Sequence, residues 1–516
     1  MFTLNKITAE DFRNAIKKLK PKKAAGNDMF PPYIVGGSSE WLEKPLLHIY
    51  NLAIKTETFP DMWKESIVVP IHKSGNKKLV ENYRPIAILS APAKLFELIL
   101  HTKLFIHIKP SLDDSQHGFV SHKSTLTNLL TFTNHVQESL DSKQQVDVIY
   151  TDFTKAFDKV DHDLLLGKLY LHGLTLHWLN FFASYLKNRT FKVKFDGNTS
   201  GKFEANSGVR QGSNLGPLLF LIFINDLRMS IITSNSLMFA DDLKIYSELV
   251  SVEDCNLLQK DIDRLLKWSL NNKLPLNISK CLVLSIFRTR INIRFDYEMF
   301  GTKLKRVESI KDLGVVYDSS LNFNKHIENI ATSAYKMLGF VLRQSANFKC
   351  IRTLKILYFT LVRPRLEYAS IVWLPHTLYQ IKRIEKVQNR FLRFLYFKKN
   401  NTYPEFNVRS ADLRHEFEIQ SLANRRSIAL VQFGHKLWNN LVDQSYLLSL
   451  MTLKVPNRAT RSTDMFHIPT TTFRFHSPLL AMLRLLNQLL TSIIDLDLSL
   501  PFKKFSKLVI VYYSSN

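Results

Sequence analysis

Two acidic spots stand out in a chain otherwise rich in base. Asp152 closes the apolar, β-branched run that begins at Val146, which predicts a strand ending in a carboxylate. Asp241-Asp242 lies between the apolar runs that begin at Leu237 and Leu243, which predicts a strand, a tight turn and a strand. Adjacent carboxylates repel, so a converging set needs a cation to relieve it. Asp152 beside Asp241 and Asp242 makes an all-oxygen site suited to Mg²⁺. Two such ions about 3.5–4 Å apart activate an attacking hydroxyl and stabilise a leaving pyrophosphate. An acidic pair alone is a weak sign. Asp113-Asp114 is another, but it has no strand before it and reads as a loop or helix cap.

The elements that must position these residues are legible from periodicity. Helical spacing runs over 7–20, 41–54, 92–107, 163–186, 218–227 and 257–270. Ile67-Val68-Val69-Pro70-Ile71 predicts a strand, followed by the basic turn His72 to Lys78. Phe191 to Phe195 alternates and ends at Asp196-Gly197, a hairpin signal. Strands and helices thus mix around 146–290, which predicts an α+β domain. Beyond about residue 325 the pattern turns helical. Residues 341–400 hold 13 Lys and Arg against 2 Asp and Glu, interleaved with aromatics such as Tyr358, Tyr368, Trp373, Tyr379, Phe391 and Phe394. Bases of this kind neutralise phosphates, and aromatic faces stack on nucleobases. The other reading is that the aromatics form a helix core and the charges its wet face.

Composition agrees with a nucleic-acid partner. The 516 residues carry 70 Lys and Arg against 45 Asp and Glu, a net charge of +25. Hydrophobic residues at 45% and aromatics at 12% exclude a disordered or fibrous chain. Three cysteines, none spaced as C-x-x-C, exclude a disulfide framework and argue for a reducing, intracellular setting. The longest apolar run, Leu218 to Ile224, is too short to span a bilayer, so no membrane partner is expected. The pairs Lys22-Lys23, Lys77-Lys78 and Lys398-Lys399 are too short to choose between nucleus and cytoplasm.

Phe239-Ala240-Asp241-Asp242 resembles the catalytic hairpin of reverse transcriptases, in particular the jockey-like branch of the non-LTR (LINE-type) retrotransposon group. Further motifs match in the family's order. Trp63 to Lys73 and Asn82 to Ser90 resemble the fingers motifs, and Gln116-His117-Gly118-Phe119-Val120 with Ser124-Thr125 resembles the next. Asp152 to Asp158 resembles the first palm motif, and Gly208 to Ser213 with Gly216-Pro217 the palm loop and helix. Leu274 to Cys281 and Asp312-Leu313-Gly314-Val315 resemble the two later palm motifs. Arg363 to Ser370 and Ile384 to Gln388 resemble the C-terminal helical region.

The resemblance implies an α+β right-hand polymerase, with fingers, a palm built on an antiparallel sheet, a helical thumb and a helical C-terminal region. The divisions expected are an N-terminal extension over 1–53, fingers and palm over 54–318, a basic thumb over 319–400, and a region of unknown role over 401–516. It implies that Asp152 and Asp241 hold two Mg²⁺ ions with the carbonyl of Phe153, and that Asp242 completes the cluster. Phe157 would lie under the incoming sugar and favour dNTPs over NTPs. Lys73 and Arg84 would grip the triphosphate, Arg in a bidentate manner and Lys as a point charge. Gln211 would pack on the nucleotide, and Gly212 would let backbone approach it. Lys280 is a candidate general acid for pyrophosphate, or an ordinary loop lysine. Leu313 and Gly314 stand where the family positions the primer end. The implied partners are an RNA template, a DNA primer or target end, and dNTPs.

Some features depart from the pattern. Val120 and His122-Lys123 stand where many relatives carry arginine and a Gly-Arg pair. Such relatives also carry an N-terminal endonuclease, which residues 1–20 are too short to hold, so a fragment or truncated copy is expected. Residues 401–516 offer Asp412, Glu416, Glu418, Asp443 and Asp464 without a carboxylate framework of the RNase H kind. The alternative is a truncated or co-opted, inactive RNA-binding remnant. An RNA-dependent RNA polymerase shares the palm but is disfavoured by Phe157. A sequence-specific DNA-binding factor would explain the charge but not the ordered carboxylates.

Overall fold

The computed structural model describes residues 1–288, 292–405, 407–455, 464–469 and 477–515. The chain is α+β, as the mixed periodicity predicts. Its strands in chain order begin with β1 (Glu65–His72), β2 (Tyr83–Ile88), β3 (Gln145–Thr151), β4 (Arg189–Phe195), β5 (Asn198–Thr199) and β6 (Phe203–Ala205). They continue with β7 (Asn235–Phe239), β8 (Asp242–Leu249), β9 (Leu282–Ile286), β10 (Glu298–Met299), β11 (Thr302–Lys303), β12 (Lys305–Val307), β13 (Ser309–Asp312) and β14 (Val315–Asp318). One sheet joins β2, β1, β4 and β5 in that order, with β6 also on β4. The β4–β5 turn is Asp196-Gly197, both at positive φ (47° and 80°), as the hairpin signal predicts.

The second sheet has the order β12-β9-β3-β8-β7 and divides the molecule into two cores. Alternate side chains of a strand point to opposite faces. Ile149, Leu243, Ile245 and Val283 enter one core, with the helices Ala91–Ile108, Leu176–Leu186, Gly216–Ile224 and Val252–Asn271. Val146, Val148, Tyr246, Leu284 and Ile286 enter the other, with Thr125–Asp141, Asn324–Gln344, Leu378–Asn400 and Leu422–Trp438. A sheet covered on both faces explains why β3 reads as an apolar run broken only by Asp147, itself buried and paired with Arg306.

Helix ends follow local chemistry. Thr8 and Ser124 cap Ala9–Lys18 and Thr125–Asp141 through capping boxes. Pro217 opens Gly216–Ile224, which is apolar on all sides and buried on all sides. The single helix expected over 163–186 is two, His162–Leu171 and Leu176–Leu186, because Gly173 turns the chain at φ 84°. In the basic stretch, Tyr358, Trp373, Phe391 and Phe394 are core, whereas Tyr368 and Tyr379 are exposed. No helix among the described residues is long and apolar enough to cross a membrane.

Neither end of the chain hangs loose. Phe2, Ile7 and Phe12 join the first core, and Lys103 pairs with Asp11 at 2.6 Å. Tyr446 Oη donates to Glu138 at 2.8 Å, and Gln444 to Thr131 at 2.8 Å, tying the C-terminal region to Thr125–Asp141. Asp412, Glu416, Asp443 and Asp464 are each paired with a different base, Arg409, Lys399, Lys109 and Lys454.

The entry into β7 is fixed by one carboxylate. Asp261, fully buried on Val252–Asn271, accepts backbone N–H bonds from Ile232 (2.7 Å), Thr233 (3.1 Å) and Ser234 (2.7 Å) and faces Arg264. Burial alone would raise its pKa, but these donors outweigh burial and hold it well below the usual carboxylate range. A depressed carboxylate stabilises the fold above its unfolded pKa, and that stabilisation is lost as acid titrates it. Asp261→Asn should therefore cost about 2–3 kcal/mol at pH 7, with the gap to the wild type closing toward pH 3 in urea unfolding. An equal gap at both pH values would contradict this assignment.

Candidate active site

The predicted carboxylates meet at one end of the five-stranded sheet. β3 pairs antiparallel with β8, with Thr151 opposite Leu243, so Asp152 emerges beside Asp242. β7 and β8 pair with Phe239 opposite Asp242, leaving Ala240 and Asp241 as the turn. Asp152 is pinned from the other side. Its carbonyl accepts from Asn277 N–H at 2.7 Å, and Thr154 N–H donates to the Pro275 carbonyl at 2.8 Å. Phe153 bridges to Leu276 between these bonds, with its ring buried against Trp268. Lys280 lies 3.2 Å from the Asp152 carboxylate.

Electrostatics mark the cluster as short of positive charge. Burial raises the pKa of Asp241, aided by Asp152, while Arg84 and Lys73 pull it back. Asp242 reaches solvent, yet the protein crowding its carboxylate, with the charges of Asp241, Asp312 and Asp152, pushes it up to about 6. Among the described residues no three His, Cys, Asp or Glu side chains close a cage around one ion. The donors that do meet here are carboxylate oxygens, the ligand type that suits Mg²⁺. Mg²⁺ keeps several waters and is held by one or two carboxylates plus substrate phosphates. The Lys280 ammonium on Asp152 stands where positive charge is wanted.

The turn carrying Asp241 is held from beneath. Ala240 sits at φ 59°, a conformation that side-chain-bearing residues adopt at a cost. Gln116, 2% exposed, accepts through Oε1 from Ala240 N–H (2.9 Å) and Gly118 N–H (2.8 Å). His117 N–H donates to the Met238 carbonyl at 2.9 Å. A Cβ on Gly118 would lie 2.2 Å from the Ala240 nitrogen, so only glycine fits below the turn.

The other expected residues surround this end of the sheet. Arg84 lies on β2 opposite Ile71, and Lys73 N–H donates to the Asn82 carbonyl at the tip of that hairpin. Gln211 accepts at its carbonyl from Ala87 N–H of β2 (2.8 Å) and bonds Asp158 through its side chain. Gly212, at φ 111°, passes so close to β2 that a Cβ would be 2.6 Å from the Ala87 carbonyl oxygen. Phe157 stacks on Phe220 at 4.4 Å and meets Phe119 edge-on at 6.1 Å. A cavity of about 290 Å³, lined by Asp152, Asp242, Lys280, Asp312 and Leu313 among others, opens beside the carboxylates. Lys123 pairs with Asp114 at 3.3 Å.

Sequence reasoning assigned no role to Gln116, Gly118, Asn277, Lys244 or Asp312. The first two carried a signal, a glycine two places from a polar residue in a matched motif. Lys244 carried another, since a lysine inside the apolar strand Leu243 to Tyr246 demands a partner.

A raised carboxylate destabilises the metal-free fold once it ionises. Asp242→Asn should raise Tm in EDTA at pH 8, with the gain shrinking below about pH 6 and gone only well below about pH 4, where the unfolded group is protonated too. Mg²⁺ should stabilise the wild type more than the variant. A lower Tm for the variant at pH 8 in EDTA would contradict this electrostatic picture.

Residues 71–342 match the family model described as reverse transcriptase (RNA-dependent DNA polymerase), a little over half of the chain. The chain is 27% identical over 453 residues to the probable RNA-directed DNA polymerase from transposon BS of Drosophila melanogaster, covering 84% of this chain and 48% of that protein. It is 25% identical over 479 residues to the RNA-directed DNA polymerase from mobile element jockey of the same organism, covering 89% and 50%. A more distant similarity, 26% over 259 residues, reaches a Pol polyprotein from the type-1 retrotransposable element R2 of Popillia japonica, covering 48% and 35%. The chain thus spans about half the length of the first two relatives, and the jockey-like resemblance seen in its motifs is met. From the carboxylate hairpin to the matched span, the chain belongs to the reverse transcriptase (RNA-dependent DNA polymerase) family.

Proposed function

We propose that the chain is an RNA-directed DNA polymerase of a non-LTR retrotransposon, extending a DNA primer end with dNTPs on an RNA template. The observation that carries this reading is the meeting of Asp152, Asp241 and Asp242 opposite the Lys73 and Arg84 hairpin. Residues 54–318 are fingers and palm, 319–400 the basic thumb, and 1–53 an N-terminal extension. No role is assigned to residues 401–516. An open groove of about 720 Å³ between thumb helices, with Lys336, Arg365 and Arg383 in its walls, supports a grip on nucleic acid there.

Asp152, Asp241 and the Phe153 carbonyl hold two Mg²⁺ ions, with Asp242 completing the carboxylate charge. Bound Mg²⁺ supplies charge neutralisation and Lewis acidity at this point. Arg84 and Lys73 bind the triphosphate and orient it in line with the primer 3′-hydroxyl. The new P–O bond forms at that hydroxyl, which loses its proton to solvent water, and the bond to pyrophosphate breaks. Lys280, released from Asp152, protonates the leaving pyrophosphate. Phe157, braced by Phe220, fills the space a 2′-hydroxyl would need. Gln211 and Gly212 form the backbone-lined wall beside the nucleotide.

The direct test is extension of a DNA primer on an RNA template by the purified chain with Mg²⁺ and dNTPs. Asp241→Ala should lower extension by at least about 100-fold while leaving RNA binding unchanged. Phe157→Ala should admit NTPs at least about tenfold better. A folded, RNA-binding wild type that extends nothing would favour the RNA-binding remnant and sink this reading.

A further inference from the structure

We infer that Lys244, Asp312 and Tyr368 form a joint that locks the β13–β14 hairpin to the catalytic strand and so positions the primer's 3′ end; the inference rests on the polymerase reading. The hairpin is closed on itself. β13 pairs with β14, and neither belongs to the five-stranded sheet. Its open end is tied to the sheet by backbone, with Phe287 N–H donating to the Ser319 carbonyl at 3.0 Å, so the placement of its turn end against the carboxylates is left to side chains.

Lys244 supplies the link. It stands two residues after Asp242 on β8, so both side chains leave the same face. Its ammonium pairs with the Asp312 carboxylate, with side chains 4% and 7% exposed, and lies 4.5 Å from the centre of the Phe132 ring. Asp312 is the last residue of β13. The following turn, Leu313-Gly314, has φ 41° and 93°, the two-residue turn that the Asp312–Val315 pairing favours, with Leu313 rather than the usual Asn or Gly in the first left-handed place. Tyr368 braces it. Its hydroxyl donates to the Leu313 carbonyl at 2.8 Å, and a Cβ on Gly314 would lie 2.8 Å from its ring. Trp373 Nε1–H donates to the Tyr368 carbonyl at 2.9 Å and steadies it. The hairpin is gripped between the catalytic strand on one side and the thumb on the other, at the wall of the 290 Å³ cavity.

Stability does not require such a pair. A buried ion pair can often be replaced by apolar residues without loss, and its best-attested use is to fix one arrangement among several. Here the arrangement fixed is the distance from Leu313-Gly314 to Asp242. Lys244 and Tyr368 are positioning residues, acting through the hairpin.

The test places a photoreactive 4-thiothymidine at the primer's 3′ end on an RNA template and maps crosslinks to residues 312–315, with extension rates measured in parallel. The variants are Lys244→Met with Asp312→Leu, and separately Tyr368→Phe, which buries no charge. Each should bind the RNA–DNA duplex and the dNTP within about threefold of the wild type. The crosslink yield should fall at least fivefold in the double variant, with kcat down at least tenfold. The fall should be at least threefold in Tyr368→Phe, which decides the matter if the double variant fails to fold. Wild-type crosslinking and rate in a folded variant would overturn the joint. A wild type that crosslinks at 312–315 but does not extend would overturn the polymerase reading instead, and one that does neither would overturn both.

Discussion

Asp241 and Asp242 are held beside Asp152, where burial and neighbouring carboxylates oppose their ionisation, with Asp242 lifted to about 6. Three acids in such a place are stable only if something brings positive charge to them. The chain supplies it in partial form, with Lys280 on Asp152 and with Arg84 and Lys73 acting on Asp241. In the proposed function Mg²⁺, held by carboxylate, water and substrate phosphate, would supply the rest.

Holding acids in that position requires a rigid platform. The five-stranded sheet is buried on both faces, so its strands cannot slip register without turning apolar side chains toward the wrong core. The carboxylates are fixed from three sides, by Asp261 at the start of β7, by Gln116 and Gly118 beneath Ala240, and by Asn277 behind Asp152. Each uses a buried hydrogen bond to backbone, the kind of contact that is costly to lose. The C-terminal helices are drawn into the same scheme through Tyr368, whose hydroxyl donates to the Leu313 carbonyl, so the strand carrying Asp242, the β13–β14 hairpin and those helices are connected.

Much of this was legible in the residues. The apolar run ending at Asp152 and the paired runs around Asp241-Asp242 specify strands by period, and the matched motifs order them. The two-part helix over 162–186 was harder, because Gly173 breaks it within a continuous apolar pattern. The short strands β10 to β14 carry too few residues for a period to show. The partners of Gln116, Asn277 and Lys244 were out of reach for another reason: each lies far along the chain, so a lysine inside an apolar strand marks itself while period does not name what it meets. Of the aromatics of 341–400, Trp373 and Phe391 follow the core reading, whereas Tyr368 and Tyr379 are exposed and Tyr368 bonds the Leu313 carbonyl.

The most direct test of the central claim is divalent-ion binding at the carboxylates, followed by Mn²⁺ electron paramagnetic resonance with and without primer, template and a non-hydrolysable dNTP. The account predicts Mn²⁺ binding that tightens when nucleotide is added, weakens below about pH 6 as protons compete for Asp242, and is lost in Asp241→Asn. Binding that is indifferent to Asp241→Asn, to nucleotide and to pH would contradict it.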